Sequence, residues 1–227
     1  MTVTITYHGH ACFNVRTGDT DILIDPFLTG NAMADVTPDR VSPRYILVSH
    51  AHGDHLGDAV PIALRTGAEV ISNAEIARYM KEQGVTSHAM HIGGARQFPF
   101  GKVKLTIAHH GSSFPDGRYG GAPCGFLLWL EDRVLYFAGD TALFLDMQLY
   151  GEEGIDVAML PIGDNFTMGP EDAVKAVRLL QPRTAILMHY NTFGVIAQDA
   201  RAVAAAVRSQ TQAEPAILAP GESMEVG

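Results

Sequence analysis

The chain has 227 residues, of which 47% are hydrophobic and 18% are charged. This length is sufficient for a large domain with its own core, and the composition is that of an ordinary globular protein. The net charge of −9 argues against general binding to the phosphate backbone of nucleic acids, so no nucleic-acid partner is expected.

The N-terminal half is predicted to consist of short strands and helices, because apolar and β-branched runs lie between Gly-containing turns. The predicted strands cover residues 3–6, 12–15, 21–24, 45–49 and 69–72. Helical spacing follows from Leu56 to Thr66, with Pro61 expected in the first turn of a second short helix. Asn73 is expected to cap a further helix that runs to about Glu82.

The C-terminal half is predicted to contain more strands and two long helices. The predicted strands cover residues 103–108, 126–130, 134–137, 155–160, 184–188 and 216–219. A helix is expected from the sequence Gly169-Pro170-Glu171-Asp172 to Leu180, since proline and acidic residues favour a first turn. A second helix at 198–208 has an Ala-rich face, which fits packing within the chain or in a homo-oligomer.

The two halves resemble each other weakly. Residues 21–25 and 134–140 are both apolar strands that end in an aspartate, and residues 46–50 and 185–189 are both apolar strands that end in a histidine. This repetition predicts two sheets related by a pseudo-two-fold axis, with helices outside. Since no linker or low-complexity segment divides the chain, residues 1–227 are predicted to form one α/β domain of the layered type.

A dense group of metal-binding side chains follows the fourth predicted strand, as His50-Ala-His-Gly-Asp-His55. In an extended chain, residues two apart point the same way, so His50 and His52 are able to hold one ion together. A turn at Gly53 directs Asp54 and His55 toward a different point. Four ligands on so short a stretch do not close around one ion, which predicts two ions.

Three more candidate ligands stand where later strands end. His109 and His110 follow residues 105–108, Asp140 follows 135–139, and His189 follows 186–188. A single strand-end histidine is usually a hydrogen-bonded core residue. Together with the first group, however, these positions indicate a shared metal site. The spacing alone leaves open which of His109 and His110 binds.

The order of these residues resembles that of the metallo-β-lactamase superfamily over nearly the whole chain. Its local phrases are similar to those of metal-dependent hydrolases related to ascorbate-6-phosphate lactonase. These phrases are Gly9-His10-Ala11, Asp25-Pro26-Phe27-Leu28-Thr29-Gly30-Asn31, Ala138-Gly139-Asp140-Thr141, Pro161-Ile162-Gly163, Phe166-Thr167-Met168-Gly169-Pro170 and His189-Tyr190-Asn191-Thr192-Phe193. Two positions depart from the family pattern: Gly111 where a serine is common, and Asp164 where a glycine is more usual.

The resemblance implies a four-layer αββα sandwich that binds two divalent ions. Zinc is the first expectation, and manganese, nickel or iron also suit histidine and carboxylate ligands. By the resemblance, one ion is held by His50, His52 and His110. The other ion is held by Asp54, His55 and His189, with Asp140 as the bridge.

Asp54 is also the predicted catalytic residue. By the resemblance it orients a metal-bound hydroxide that attacks a small anionic ester or lactone. His10, Arg118 and Asn191 are predicted to contact this substrate, with Arg118 on a mobile lid over residues 111–125. His10 is equally well explained as a hydrogen-bonded loop residue, and Arg118 as a solvated surface residue. Asp25 is a candidate partner for a ligand histidine.

Two other classes of function fit the same residues. A phosphodiesterase or nuclease of this fold requires a basic groove, and a non-catalytic metal-binding protein is expected to lack some ligands. An iron-dependent redox protein is a further alternative. No signal pattern and no apolar stretch of ~18 residues is evident, so a cytoplasmic protein without a membrane partner is expected. The two cysteines, Cys12 and Cys124, are expected to be buried and reduced.

Overall fold

A computed structural model describes residues 2–227. The strands within these residues are β1 (Val3–Tyr7), β2 (Phe13–Thr17), β3 (Thr20–Ile24), β4 (Tyr45–Leu47), β5 (Glu69–Asn73), β6 (Ser87–Met90), β7 (Ala95–Phe98), β8 (Gly101–Ile107), β9 (Cys124–Leu130), β10 (Arg133–Phe137), β11 (Val157–Pro161), β12 (Thr184–Met188), β13 (Glu214–Ala216) and β14 (Ser223–Val226). The α-helices are α1 (Gly53–Leu56), α2 (Ala59–Thr66), α3 (Ala74–Glu82), α4 (Met147–Gly151), α5 (Pro170–Leu180) and α6 (Ala200–Gln210). Short 3-10 turns cover Pro38–Arg40 and Gly194–Ile196.

The strands form two seven-stranded mixed sheets of matching design. The first has the order β14-β1-β2-β3-β4-β5-β6, and the second has the order β13-β12-β11-β10-β9-β8-β7. In each sheet three neighbouring antiparallel pairs lie beside three parallel pairs. The predicted correspondence of β3 with β10 agrees with this arrangement. The predicted correspondence of β4 with β12 is wrong, because β4 and β11 occupy equivalent places in the two sheets.

The burial of the strands follows from their neighbours. In β1, which has antiparallel partners, Val3, Ile5 and Tyr7 are buried while the residues between them are partly exposed. In contrast, every residue of β4 and β11 is buried, because these parallel strands are covered on both faces. This explains why the sequence alternates in β1 but is continuously apolar in the parallel strands.

Three apolar clusters define the layers. The largest lies between the sheets and includes Phe13 and Phe126. A second joins the outer face of the second sheet to α4, α5 and α6, and a third joins the first sheet to α1, α2 and α3. The molecule is therefore the predicted αββα sandwich, with its core between two mixed sheets. None of the helices within residues 2–227 has the length and apolar character that crossing a bilayer requires.

Several predicted element boundaries differ from the structure. The predicted last strand, residues 216–219, is wrong: β13 ends at Ala216, and the chain then turns into β14. The strands β6, β7 and β14 were absent from the prediction. β7 reads Ala-Arg-Gln-Phe and closes an edge of the second sheet, with only Phe98 buried. Edge strands such as β7 and β14 need no apolar run because one side of each stays exposed, so their sequences carry little signal.

Candidate metal centre

The first group of histidines comes from the ends of two strands in different sheets. His50 and His52 follow β4, where the backbone is extended before α1, and His110 follows β8. The Nε2 atom of His50 lies 3.0 Å from Nδ1 of His52. One nitrogen atom of each of the three rings lies within 4.8 Å of the chosen nitrogen atoms of the other two rings. The structure thus brings together the residues that were predicted to share one ion.

The second group forms around α1. This helix presents Asp54 and His55, while His189 reaches them from the end of β12. His10, from the turn between β1 and β2, completes a group whose ligand atoms all lie within 4.8 Å of one another. The backbone N–H of His189 donates to the carbonyl of His10 at 2.7 Å, so this contact joins the loops of the two sheets.

Asp140 lies between the two groups. Its Oδ2 atom is 3.6 Å from Nε2 of His110, 3.2 Å from Nε2 of His55 and 3.0 Å from Nε2 of His189. The side chain is 2% exposed and stands on the loop after β10, at the centre of the imidazoles. A carboxylate with two oxygens in this position is suited to contact two ions at once.

Unpaired buried atoms show that these residues fit cations. Among the residues that the structure describes, His55 Nε2, His189 Nε2 and Asp140 Oδ1 are buried without a hydrogen-bond partner. Such atoms usually cost about 1–3 kcal/mol each when they remain unpaired. Here the two Nε2 atoms lie 3.2 and 3.0 Å from the same Asp140 carboxylate, and divalent ions would satisfy all three atoms as ligands. Histidine nitrogens and carboxylate oxygens are the donor set that zinc and related ions accept.

A buried carboxylate holds one histidine from each group. Asp25 accepts a hydrogen bond at 2.7 Å from Nδ1 of His55 and another at 2.6 Å from the hydroxyl of Ser49. The Ser49 hydroxyl lies 3.0 Å from Nδ1 of His50. Asp25 therefore orients His55 directly and His50 through Ser49, leaving the Nε2 atom of each ring to face the cluster. The predicted role of Asp25 as a partner of ligand histidines agrees with this geometry.

The sequence did not identify Ser49 as part of the site. Its only signal was its position directly before His50 at the end of an apolar strand. A hydroxyl in such a place is common in strands that end at the surface, and only the buried partner Asp25 gives it a role here.

His10 lies inside the site and is fully buried. Its Nε2 atom is 3.3 Å from Oδ2 of Asp54, and its Nδ1 atom is 2.9 Å from the hydroxyl of Thr192. Burial lowers the pKa of His10 to about 4, although the hydrogen bond to Asp54 opposes the shift. The His10 ring is therefore neutral at pH 7, and its contact with Oδ2 positions Asp54, the catalytic candidate.

The two carboxylates of the cluster, Asp54 and Asp140, remain ionised although desolvation acts against their charge. Burial alone raises the pKa of Asp54, but the hydrogen bond from His10 and the charge of His55 outweigh it and hold the pKa below its usual range. Burial likewise acts to raise the pKa of Asp140, and His189 and His55 reverse this effect. The pKa of His55 is raised, because Asp140 and Asp25 outweigh the opposing effect of burial. The centre therefore attracts positive charge.

The backbone near the cluster is unusual at several non-glycine residues. His10, Asp25, His189 and Asn191 all have positive φ, between 44° and 60°. Non-glycine residues adopt this left-handed region rarely, and holding one there costs of order 1 kcal/mol or more. Four such residues in loops of the same site are consistent with side-chain positions that serve function rather than stability.

Three candidates do not join the cluster. His109 packs edge-on against Phe144, with ring centroids 5.0 Å apart, and leaves the site to His110. Asn191, a predicted substrate contact, instead accepts a hydrogen bond from the backbone of Gln198 at 2.8 Å. This hydrogen bond lies within the loop that follows β12. The sequence does not reveal the side-chain directions of His109 and Asn191, because the turns of a loop determine where each of its side chains points.

Arg118 has acidic partners of its own. Its guanidinium pairs with Asp116 at 2.8 Å and lies 3.5 Å from Glu82, the last residue of α3. The described contacts therefore do not support the prediction that Arg118 binds substrate.

The segment that carries Arg118 is attached at its base. Asn73 donates to the carbonyls of Gly120 and Ala122, and the hydroxyl of Ser112 accepts from the backbone of Ala51. The mobile lid predicted for residues 111–125 stays a prediction, with movement confined by these contacts to the exposed tip.

The fold and the cluster agree with similarities to known proteins. The Beta-lactamase superfamily domain family matches residues 4–189 of the chain. A UPF0173 metal-dependent hydrolase of Pelotomaculum thermopropionicum is 51% identical over 227 residues, covering 98% of this chain and 99% of that protein. A second such hydrolase, from Desulforamulus reducens, is also 51% identical, with the same coverage.

The chain belongs to the metallo-β-lactamase superfamily. Within the superfamily, the solved structure of a novel metallo hydrolase from Ignicoccus hospitalis matches this fold with a TM-score of 0.92. The two proteins are 35% identical, and the match covers 100% of this chain and 99% of that one. The present chain is thus a metal-dependent hydrolase of the same fold, as its sequence predicted.

The two departures from the superfamily pattern have structural explanations. A Cβ atom added at Gly111 meets the ring of His52 at 3.7 Å, an ordinary contact, so a serine fits there and its absence leaves the ligands in place. Asp164 has a φ of +61°, the region in which glycine is favoured. Asp164 therefore adopts the backbone shape for which the family pattern has a glycine.

A well-formed groove lies apart from the cluster. It has a volume of about 470 Å³ between α5 and α6, and none of its lining residues belongs to the cluster. The candidate metal site is therefore located by its histidine and carboxylate donor atoms and not by a large cavity.

Proposed function

We propose that this hydrolase binds two divalent metal ions and cleaves an ester or lactone in a small molecule. The observation that carries the proposal is the place of Asp140 between His50, His52 and His110 on one side and Asp54, His55, His189 and His10 on the other. Zinc is the first expected ion, with manganese, nickel and iron as alternatives. Residues 1–227 are proposed to act as one hydrolase domain, which the shared core between the sheets supports.

Each predicted ligand has a position that suits its role. His50, His52 and His110 would hold one ion, and Asp54, His55 and His189 the other, with Asp140 shared. His10 is an additional donor on the second side, but its Nε2 atom is directed to Asp54. We therefore assign His10 to positioning Asp54 rather than to binding the ion.

When bound by these residues, divalent ions would supply Lewis acidity and lower the pKa of a water molecule toward about 7. Asp54 is partly exposed and ionised, so it accepts a hydrogen bond from the attacking water and fixes its orientation. The water oxygen forms a bond to the substrate carbonyl carbon, and the bond from that carbon to the leaving oxygen breaks. Asp54 takes the proton of the water and returns it to the leaving oxygen, which yields an acid and an alcohol.

The predicted negative charge on the substrate comes from the family resemblance, and Arg118 is the predicted side-chain partner for that charge. Since Arg118 is paired with Asp116 and Glu82, the described contacts do not support that part of the prediction. A phosphodiesterase or nuclease of the same fold is the main alternative activity. It requires basic side chains near the ions, and bis(p-nitrophenyl) phosphate is the substrate that tests it.

The experiment joins metal analysis to a substrate panel. Protein purified without added metal is expected to contain close to two equivalents of divalent metal by mass spectrometry of the elements. It is expected to hydrolyse p-nitrophenyl esters or aliphatic lactones faster than bis(p-nitrophenyl) phosphate. The variant Asp54→Asn retains a ligand oxygen but loses the proton acceptor, so kcat is expected to fall by about 10²–10⁴-fold. Metal-free protein, or an unchanged kcat in Asp54→Asn, would refute the proposal.

A further inference from the structure

The loops around the metal centre contain almost no positive charge. They comprise residues 8–12, 25–37, 48–58, 108–123, 138–146, 162–169 and 189–199. Within these ranges aspartate recurs, whereas Arg118 is the one lysine or arginine. Any group of the substrate beyond the reach of the ions therefore meets no lysine or arginine of these loops other than Arg118.

The single arginine is already neutralised. Its guanidinium is hydrogen-bonded to Asp116, lies near Glu82 and stacks on the rings of Tyr79 and Phe114 at 5.5 and 5.6 Å. Recruiting it to bind a substrate anion would break all of these contacts. The site therefore has no free side-chain cation among the loops that surround it.

Apolar side chains lie next to the cluster instead. Phe193 and Phe27 both contact the ring of His10, with centroids 5.5 and 5.6 Å away, and their own centroids are 6.4 Å apart. Met33 joins them through its sulfur, 3.7 Å from the Thr192 hydroxyl that also binds His10. We call Phe27, Met33 and Phe193 the apolar wall. Because His10 contacts Asp54, the wall is one side chain away from the catalytic candidate.

Phe193 is 39% exposed although the core next to it is well packed. Leaving a phenylalanine in water forgoes the stabilisation that its burial provides. An exposed aromatic ring in this position is available for contact with a ligand. Hydrogen bonds of Asn191 with Ile196 and Gln198 connect the two ends of the loop that carries Phe193.

We propose that the substrate is uncharged and apolar in the part remote from the bond that is cleaved, and that this part packs on the apolar wall. The inference rests on the proposed function for the reacting group, but it assigns a substrate class opposite to the anionic one that the resemblance implied. Phe193 is the specificity-determining residue, since it is the most exposed member of the wall next to His10.

Two matched pairs of probes test the proposal. The first pair is p-nitrophenyl valerate and mono-p-nitrophenyl glutarate, which differ in a terminal methyl against a carboxylate. The value of kcat/KM is expected to be at least about tenfold higher for valerate, the size of effect that a well-fitted apolar pocket produces. Phe193→Ala is expected to remove most of this preference, and Phe193→Lys to reverse it. Val195→Ala, an exposed apolar residue of the same loop, is the control and should keep the preference.

The second pair measures binding without hydrolysis. Pentanohydroxamate and glutaric monohydroxamate share a metal-binding head, and calorimetry with the metal-loaded protein gives their dissociation constants. Tighter binding of pentanohydroxamate that is lost in Phe193→Ala supports the apolar wall even if no ester is cleaved, in which case only the proposed reaction fails. Equal or tighter binding of the glutaric compound, or a preference insensitive to Phe193→Ala, would overturn the inference.

Discussion

Asp25 is the side chain on which the geometry of the centre most depends. It is fully buried and accepts three hydrogen bonds, from the Ser49 backbone at 2.7 Å, from the Ser49 hydroxyl at 2.6 Å and from His55 Nδ1 at 2.7 Å. A carboxylate with this set of donors fixes the tautomer of His55, so that Nε2 is free to bind an ion. Asp25 also reaches His50 through Ser49, so one residue orients a ligand in each group.

The substitution Asp25→Asn is predicted to weaken metal binding. The amide keeps the shape of the carboxylate but lacks the charge that holds His55 Nδ1–H, so affinity is expected to fall about 10–100-fold. Competition with a chromophoric chelator measures the dissociation constant. Asp21→Asn, in the strand that precedes Asp25 and far from the ligands, is the control and is expected to bind as the wild type does. Equal affinities in the two variants would contradict the role of Asp25.

At the scale of the element, α3 links the first sheet to the loop that carries His110. Asn73 caps this helix, since its side-chain oxygen accepts from the backbone of Ile76 at 2.8 Å. The amide of the same side chain donates to Gly120 and Ala122 at 2.8 and 3.0 Å. The sequence predicted the cap but not the second pair of contacts, because their carbonyls are almost 50 residues away.

Asn73→Ala is predicted to lower both stability and activity. Losing a cap costs about 1 kcal/mol, and the two loop carbonyls also lose their donor. The free energy of unfolding in urea is expected to fall by about 2 kcal/mol. The value of kcat/KM is also expected to fall, because the loop that positions His110 is released.

The matched control is Asp199→Ala, which removes the cap of α6; within residues 2–227, the Asp199 side chain accepts hydrogen bonds only from the backbone of Arg201 and Ala202 in that helix. It is expected to lower stability while leaving kcat/KM intact. If the two variants lose activity to the same extent, the contacts of Asn73 with the loop have no part in the site.

At the scale of the molecule, the centre draws its ligands from loops of both sheets. His50, Asp54 and His55 belong to the first sheet, whereas His110, Asp140 and His189 follow strands of the second. These histidine and carboxylate side chains meet where loops of the two sheets approach each other. We therefore expect their charges to affect the stability of the whole sandwich: balanced charges stabilise it, and unbalanced charges destabilise it. The buried imidazoles make this balance depend on pH.

The metal-free protein is predicted to lose stability as the pH falls from about 6.5 to 4. Burial lowers the pKa of His10 to about 4, and it also lowers the pKa values of His50 and His110, so the unfolded chain binds more protons in this range. His10 alone contributes about 3 kcal/mol, at about 1.36 kcal/mol per pH unit. The raised pKa of His55 does not offset the loss, since its contribution is complete below pH 6.5 and disappears only as the pH rises.

Urea unfolding of chelator-treated protein at several pH values checks this prediction. His10→Asn is expected to reduce the slope between pH 6.5 and 4, while His109→Asn, outside the cluster, retains it. Metal-loaded protein is expected to be more stable at pH 7 and to lose this advantage on acidification, because protons displace the ions from histidine. A stability independent of pH in the metal-free protein would show that the imidazoles are not held neutral by burial.

Much of the fold was predictable because local sequence encodes local conformation. The apolar runs at β1, β8 and β12 and the first turn of α5 were recognisable from burial patterns, proline and acidic residues. The edge strands β6, β7 and β14 were missed, since strands with one free side carry no continuous apolar pattern. The boundary of β13 was misplaced because the partner strand, not the sequence, determines where pairing ends.

The sequence by itself determined the fold class, the superfamily and the strand-end positions of seven candidate ligands, because apolar periodicity and short histidine and aspartate motifs are properties of consecutive residues. The tertiary structure decided that His10 and Ser49 enter the site, that His109 packs on Phe144, and that Asn191 and Arg118 have partners of their own. It also placed Phe193 against the ring of His10, whose Nε2 atom lies 3.3 Å from Asp54. These outcomes depend on how loops from distant strands approach one another, which sheet register and packing determine and which no run of neighbouring residues encodes.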